Sequence, residues 1–404
     1  MLKDFHELSS AKDMRLKQLY RTIRKLGKSD ITLLKEETGF KHATCVRMLE
    51  ELLSAALIDD SDVGESSGGR KPKVYQINAA KNILVGAEIS QLYTTVLFTD
   101  LNLDIISVRK LKMSAECSPM VVLDFITDGI TEMLMEIGRD RSELLGIGVG
   151  ILSRIDVKDN SITGDQYFSE LGWDRFNIVN YLERSNLLKV LVDSATNLAA
   201  LAEYRKNHWR TTDSLLFVAS DFKIRSAVIL NGKLLYNQSE MNEGVQHMVV
   251  DIAGRSCSCG AFGCLKMYAT VPVIFEEVIK KIKLGYLSSL TEKQINLDEL
   301  SYHHVLQGID DHDPLCLEAA REAAGYLGVG ISNLILQLRP TEVILGGTLG
   351  PRLYEWVEET VTKRNSQLGI SDVQLHLANA SFNTVSQGAA CLVIDYFVEE
   401  KNYI

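Results

Sequence analysis

Apolar residues recur at helical spacing near the start of the chain. Leu16, Leu19, Tyr20, Ile23 and Leu26 share one face of a helix predicted over residues 14–26, and Gly27 ends it. Ser29 or Asp30 can cap a short second helix over 31–38, after which Gly39 turns the chain. A third helix is predicted over 41–56, burying Val46, Leu49, Leu52 and Leu53. Helix, short helix, glycine turn and helix form the helix-turn-helix pattern. Residues 62–73, rich in Ser, Gly and charge, read as an exposed hairpin tip, with 74–77 as its return strand.

Further on, the pattern changes to short apolar runs broken by turns. Strands are predicted over 83–88, 93–98 and 105–108, and the same triplet recurs over 215–219, 226–230 and 233–236. Asn231-Gly232 supplies the hairpin turn of the second triplet. Helices over 119–137 and 197–205 flank these blocks. Residues 327–338 read as a buried helix, 342–346 as a strand running into Gly347, and 386–400 as a closing amphipathic helix. The fold class is α/β. It comprises a head over 1–78, a first lobe over 79–195 closed by a C-terminal helix within 384–404, and a second lobe over 196–383. A cleft between two similar lobes is the default ligand site.

Charge separates head from body. Residues 15–73 hold twelve Lys/Arg against nine Asp/Glu, while the whole chain carries a formal charge of -10. Such a chain does not coat nucleic acid all over, but a local basic patch is allowed. Apolar content of 46% and a mean hydropathy of +0.01 describe an ordinary soluble protein. No apolar run approaches the roughly 20 residues that cross a bilayer. Met1 to His6 lacks the apolar core of a signal peptide, so a cytoplasmic location without membrane attachment is expected.

Cysteine is scarce, seven in 404 residues, yet Cys257, Cys259 and Cys264 fall within eight positions, downstream of His247. Reduced cysteines clustered by chance are the alternative, and scarcity counts against it. Three thiolates and one imidazole complete a closed tetrahedral zinc shell with no position open for water, which means a structural Zn2+. Gly260 and Gly263 give the loop its backbone freedom.

Three features together carry a family resemblance: His247 with the three cysteines, the stretch Ser66-Ser67-Gly68-Gly69-Arg70-Lys71-Pro72 after a helix-turn-helix, and Asn231-Gly232-Lys233-Leu234. The chain resembles the transcription-repressor branch of the ROK family over almost its whole length. The resemblance implies a winged helix-turn-helix followed by a two-lobed actin-like, ribonuclease-H-like body of the sugar-kinase type, assembled as a homodimer or tetramer. Family kinases open with an Asp-x-Gly-Gly-Thr turn; here the residues are Glu88-Ile89-Ser90-Gln91-Leu92, whose side chains crowd a phosphate. The second phosphate loop begins with Asp221, which repels polyphosphate. The catalytic Asp position falls on Ala195, which accepts no proton, and only a register shift would bring Asp193 there. No catalytic residue and no kinase activity are therefore expected.

The sugar cradle also departs from the family pattern. Gly244 and Gln246 replace the Glu and Gly of a Glu-x-Gly-His motif ending at His247, Lys266 replaces a Glu, and Glu170 replaces an Asn before Leu171-Gly172-Trp173. The candidate effector residues are His247, Lys266, Glu170, Glu243, Lys223 and Arg225. Lys266, Lys223 and Arg225 suit an anionic sugar derivative, or are solvated surface cations.

DNA contact is expected from Lys41, His42, Thr44 and Arg47 at the start of the third helix, in a major groove. Arg70 and Lys71, on a Gly-Gly hinge stiffened by Pro72, suit an A·T-rich minor groove. The expected partner is a double-stranded operator of palindromic or repeat-like form. The expected protein is a zinc-containing regulator, a repressor of carbohydrate-related genes. The alternatives are an active sugar kinase with a DNA-binding head, or a regulator controlled by docking to another protein.

Overall fold

The computed structural model describes residues 2–61, 73–156, 161–163, 165–235, 241–292, 299–379 and 383–399. The chain divides into two units, Met1–Thr211 with Phe382–Ile404, and Thr212–Ser381.

The first unit begins with α1 (Leu2–Glu7) and α2 (Ala11–Leu26). A capping box starts α2: Asp13 N–H donates to the Ser10 hydroxyl at 3.2 Å, and Ser10 N–H donates to Asp13 at 2.9 Å. After β1 (Ser29–Asp30), the Asp30 carboxylate accepts from Thr32 and Leu33 N–H at 2.8 and 2.9 Å and nucleates α3 (Ile31–Thr38). Gly39, at φ 71°, ends α3 in the left-handed region. α4 (His42–Ser54) follows, then β2 (Ile58–Ser61) and β3 (Val74–Ile77). The strands pair antiparallel in the order β1-β3-β2, which makes a winged helix-turn-helix. α4 buries Cys45, Met48, Leu49 and Leu52, while Val46 and Leu53 are only half-buried. Its inner face is therefore turned from the expected one, because the sulfur-bearing side chains also serve as core. Arg70 and Lys71, assigned to the wing tip, lie outside the described residues.

The first lobe continues with β4 (Ile83–Ile89), β5 (Tyr93–Thr99), β6 (Ile105–Lys112), α5 (Pro119–Ile137) and β7 (Leu144–Ile151). The small pair β8 (Arg154–Asp156) and β9 (Ser161–Thr163) leads to α6 (Gln166–Glu170), α7 (Ile178–Asn186), β10 (Val190–Ser194) and α8 (Ala195–Glu203). A π-helical turn, Tyr204–His208, ends α8. The main sheet has the order β10-β7-β4-β5-β6, with β4, β5 and β6 antiparallel and β7 and β10 parallel to β4.

The second unit holds β11 (Leu215–Ser220), β12 (Ile224–Leu230), β13 (Lys233–Leu234), α9 (Val271–Lys283), α10 (Ser289–Glu292), α11 (Tyr302–Asp310), α12 (Pro314–Leu338), β14 (Glu342–Gly346), α13 (Gly350–Gln367) and β15 (Gln374–Leu377). Its sheet order, β13-β12-β11-β14-β15, repeats that of the first lobe: three antiparallel strands, then two parallel ones. The internal echo in the sequence is thus a duplicated fold, as an actin-like body requires. Asn231 (φ 52°) and Gly232 (φ 73°) close the β12–β13 hairpin.

Two expectations change. The second unit begins at Thr212, not 196, because α8 packs against the C-terminal helix inside the first lobe. That helix, Thr384–Val398, is buried around most of its circumference and so is not amphipathic. It crosses β4 and β7 at glycines: a Cβ on Gly86 would strike the Ser386 carbonyl, and one on Gly148 the Ala389 backbone. Gly388, on the helix itself, lies as close to the Leu198 backbone of α8. The Arg339 residue that ends α12 adopts φ 47°.

Candidate metal centre and DNA-binding face

The cysteine loop is folded by its own backbone. Cys257 N–H donates to Ala261 O at 2.9 Å, and Gly260 N–H to Cys257 O at 3.0 Å. Gly260 (φ 90°) and Gly263 (φ 68°) take conformations that disfavour any side chain. Val250 N–H to Gly263 O and Leu265 N–H to Met248 O, both 2.8 Å, dock the loop beside the turn carrying His247. The outcome is that His247, Cys257, Cys259 and Cys264 bring their ligand atoms within 4.8 Å of one another. Cys257 Sγ lies 3.6 Å from His247 Nδ1, and Cys259 Sγ lies 3.6 Å from Cys264 Sγ. A tetrahedral ion with bonds of about 2.0–2.3 Å has ligand–ligand edges of roughly 3.5–3.8 Å, so the cluster can hold a metal ion. Burial and the neighbouring sulfurs push the Cys264 thiol up to about 12. At Cys257 burial is outweighed by hydrogen bonds from Cys259 and Cys264 and by Lys266, and the thiol falls below its ordinary value. Three thiols this close do not all ionise by themselves; a dication supplies the missing charge.

Of the candidate effector residues, Glu243, Lys223 and Arg225 come together, and His247 and Lys266 lie at the cysteine loop. Glu243 is buried and caged: Lys223 Nζ donates to its two oxygens at 3.0 and 3.3 Å, and Arg225 Nε donates to Oε1 at 3.2 Å. Gln246 Nε2 reaches Glu243 at 3.5 Å. Lys223 and Arg225 thus share a buried carboxylate, with the Lys223 side chain still 38% exposed and that of Arg225 14% exposed. Lys266 donates to Ser258 Oγ at 2.8 Å and braces the cysteine loop. Glu170 ends α6 in the first unit, exposed, and accepts from Gln166 at 2.9 Å. His247 belongs to the metal cluster.

At the turns that the sequence compares with phosphate loops, side chains occupy backbone groups. Ser90 Oγ donates to Tyr93 O at 2.7 Å and accepts from Tyr93 N–H at 3.2 Å, closing the β4–β5 turn on itself. Asp221 accepts from Thr348 N–H ahead of α13, an amide that a phosphate could otherwise use. Ala195 is buried at the first position of α8. The Asp193 carboxylate accepts from Asn197 Nδ2 at 2.8 Å and from Ser194 N–H at 2.6 Å. The Asp221–Thr348 contact was not foreseen in the sequence, since 127 residues separate the partners.

On the head, Lys41, His42 and Arg47 are exposed and Thr44 is half-buried, while Cys45, Met48 and Leu49 turn inward. The four candidates therefore lie on or beside the solvent side of the first turns of α4. Lys41, at the N-cap of α4, is exposed.

The ROK family model matches residues 84–396. A xylose repressor of Bacillus subtilis is 24% identical over 400 residues, covering 98% of this chain and 99% of that protein. Among solved structures, a ROK family transcriptional regulator described as a homologue of the E. coli MLC protein superposes with TM-score 0.75 and 21% identity, covering 96% of this chain and 97% of its own. A ROK hexokinase from Thermus thermophilus superposes with TM-score 0.61 and 20% identity, covering 76% of this chain and 96% of its own.

Proposed function

The chain belongs to the ROK family, and from that premise we propose that it is a DNA-binding transcriptional repressor of sugar-related genes, whose body senses a ligand and does not phosphorylate it. The carrying observation is the exposed row Lys41, His42 and Arg47 on α4 of a winged head, in a chain matched end to end by a xylose repressor. α4 enters a major groove, where Arg47 reads a guanine edge and Lys41 holds a phosphate. Two heads on a homodimer meet the half-sites of a palindrome, with Arg70 and Lys71 in the flanking minor groove.

The body lacks what phosphoryl transfer needs. A base must accept the sugar hydroxyl proton and backbone amides must cradle the phosphates. Ala195 stands at the base position, the Asp193 carboxylate is engaged by Asn197, and Asp221 takes the Thr348 amide. The metal is a structural Zn2+: His247, Cys257, Cys259 and Cys264 would fill its shell and fix the turn that also bears Glu243. When bound, the ion supplies charge that keeps all three sulfurs as thiolates. Because a relative is named for xylose, a pentose is the first effector to test, with anionic sugar derivatives second. Such a repressor acts in the cytoplasm, where cysteines stay reduced.

The test uses the full-length, zinc-loaded protein. A duplex is selected from a random-sequence pool, and its affinity is read by fluorescence anisotropy with and without xylose and a panel of sugars and sugar phosphates. A palindromic winner that one sugar releases is expected. No enrichment over the starting pool at moderate salt would overturn the DNA-binding reading.

A further inference from the structure

α2 docks on the first lobe through buried charge as well as apolar surface. Arg24 Nη1 donates to Asp395 Oδ1 at 2.7 Å, while Arg205 donates to Oδ2 from Nη2 at 2.9 Å and from Nε at 3.2 Å. All three side chains are almost fully buried, 3–4% exposed. Both guanidiniums lie over the Trp209 ring, Cζ to centroid 4.9 Å for Arg24 and 4.1 Å for Arg205. Around this cluster Arg21 Nε donates to Val398 O at 2.8 Å, and Arg24 approaches Glu399 at 3.6 Å. Burial opposes the Asp395 charge, but Arg205 and Arg24 outweigh it and hold the carboxyl below its ordinary range.

Stability alone does not account for such a cluster, since apolar residues of similar volume often do as well or better. Charge adds registry, because few docking positions pair every group at once. Beside the cluster opens a cavity of about 850 Å³, lined by Lys28 and Gln76 of the head and by Asp100 and Lys206 of the lobe. The head is therefore pinned at a polar joint with unfilled space alongside, which is the geometry of a hinge. Asp395 belongs to the helix that touches β4, β7 and α8 backbone to backbone at Gly86, Gly148 and Gly388. α8, whose first residue is Ala195, packs on the same helix that carries Asp395.

We propose that the Arg24–Asp395–Arg205 cluster is a latch that sets the orientation of the head on the first lobe, closed when the protein grips DNA and released when the body changes state. The latch rests on the DNA-binding reading above. Its test uses the full-length protein and the duplex that the wild type selects from a random pool. Arg24→Met leaves Asp395 half-paired and should weaken binding by about ten-fold or more, within the usual span of coupling between sites. The apolar triple variant, Arg24→Met with Asp395→Leu and Arg205→Met, should regain thermal stability but not affinity. If Arg24→Met binds like the wild type, or the triple variant regains both properties, the cluster is only a plug and the latch is wrong. Hydrogen exchange on the wild type gives a second readout that needs no variant. Amides of 204–209 and 391–398, on the lobe side of the joint, should exchange more slowly once the duplex is bound; unchanged exchange there also overturns the latch. Should the wild type select no duplex, it is the DNA-binding reading that fails, and the latch falls with it.

Discussion

Burial at the end of β4 pushes the Glu88 carboxyl up to about 7, with Lys110 opposing. A raised carboxyl is protonated in the folded chain while the unfolded chain has already released its proton. Stability from this group is present below the unfolded value near 4.5 and declines as pH rises through 7, on the order of 3 kcal/mol in all. Glu88→Gln should leave the melting temperature nearly unchanged at pH 5 and raise it at pH 8, as scanning calorimetry can read; an equal shift at both values would refute the buried-acid account. At the metal cluster, Cys264→Ser removes the most deeply buried sulfur. Bound zinc measured by elemental analysis should drop from about one per chain to a trace, and the second unit should melt earlier. Arg47→Ala should cost about 1–3 kcal/mol and relax sequence preference at one position, whereas Lys41→Ala should weaken binding alike on all duplexes; anisotropy on matched and mismatched duplexes separates the two.

Among the elements, those with a strong local signal were legible. Helix 119–137 has Pro119 at its start and Gly138 after its end, and strand 342–346 is an apolar run before Gly347; both match the structure residue for residue. Helices α2, α3 and α4 of the head were legible because Gly27, Asp30 and Gly39 punctuate them, whereas α1, only six residues long, was not read. Faces were harder to read. In α4 the inward side includes Cys45 and Met48, residues that a simple apolar count leaves out. The helix Thr384–Val398 was misread as amphipathic because Ser386, Gln387 and Asp395 look like a solvent face; they are buried by α8, the sheet and the head. Its small residues, Gly388-Ala389-Ala390, were the available clue to close backbone approach. Gly388→Ala should therefore cost at least the ~1–3 kcal/mol typical of overpacking, because the obstructing Leu198 atoms belong to the backbone and cannot rotate away. Urea unfolding measures this; a change below about 0.5 kcal/mol would show that α8 can yield.

At the scale of the whole molecule, the metal ligands were legible as a motif because they crowd one loop, while the polar joint between head and lobe was not. Arg24, Arg205 and Asp395 are separated by up to 371 residues, and no local pattern links them. The ion pairs on Glu243 were hidden for another reason: Lys223 and Arg225 lie only 20 and 18 residues before it, but no local motif marks the pairing that the β12 strand and the following turn create. If the chain is the non-phosphorylating regulator proposed above, more than one position separates it from a sugar kinase, so Ala195→Asp by itself should not restore sugar-dependent ATP hydrolysis in a coupled assay. Measurable turnover from that single change would mean that the closed β4–β5 turn and Asp221 do not exclude nucleotide. The helix Thr384–Val398 also bears on how the protein is made. It packs on one face of a sheet whose strands emerge from the ribosome more than a hundred residues earlier. Until that helix is synthesised, β4 and β7 keep one face uncovered and α2 lacks its acidic partner. Nascent chains are thus held in an unfinished state, open to chaperones and unable to seat the head, for much of their translation.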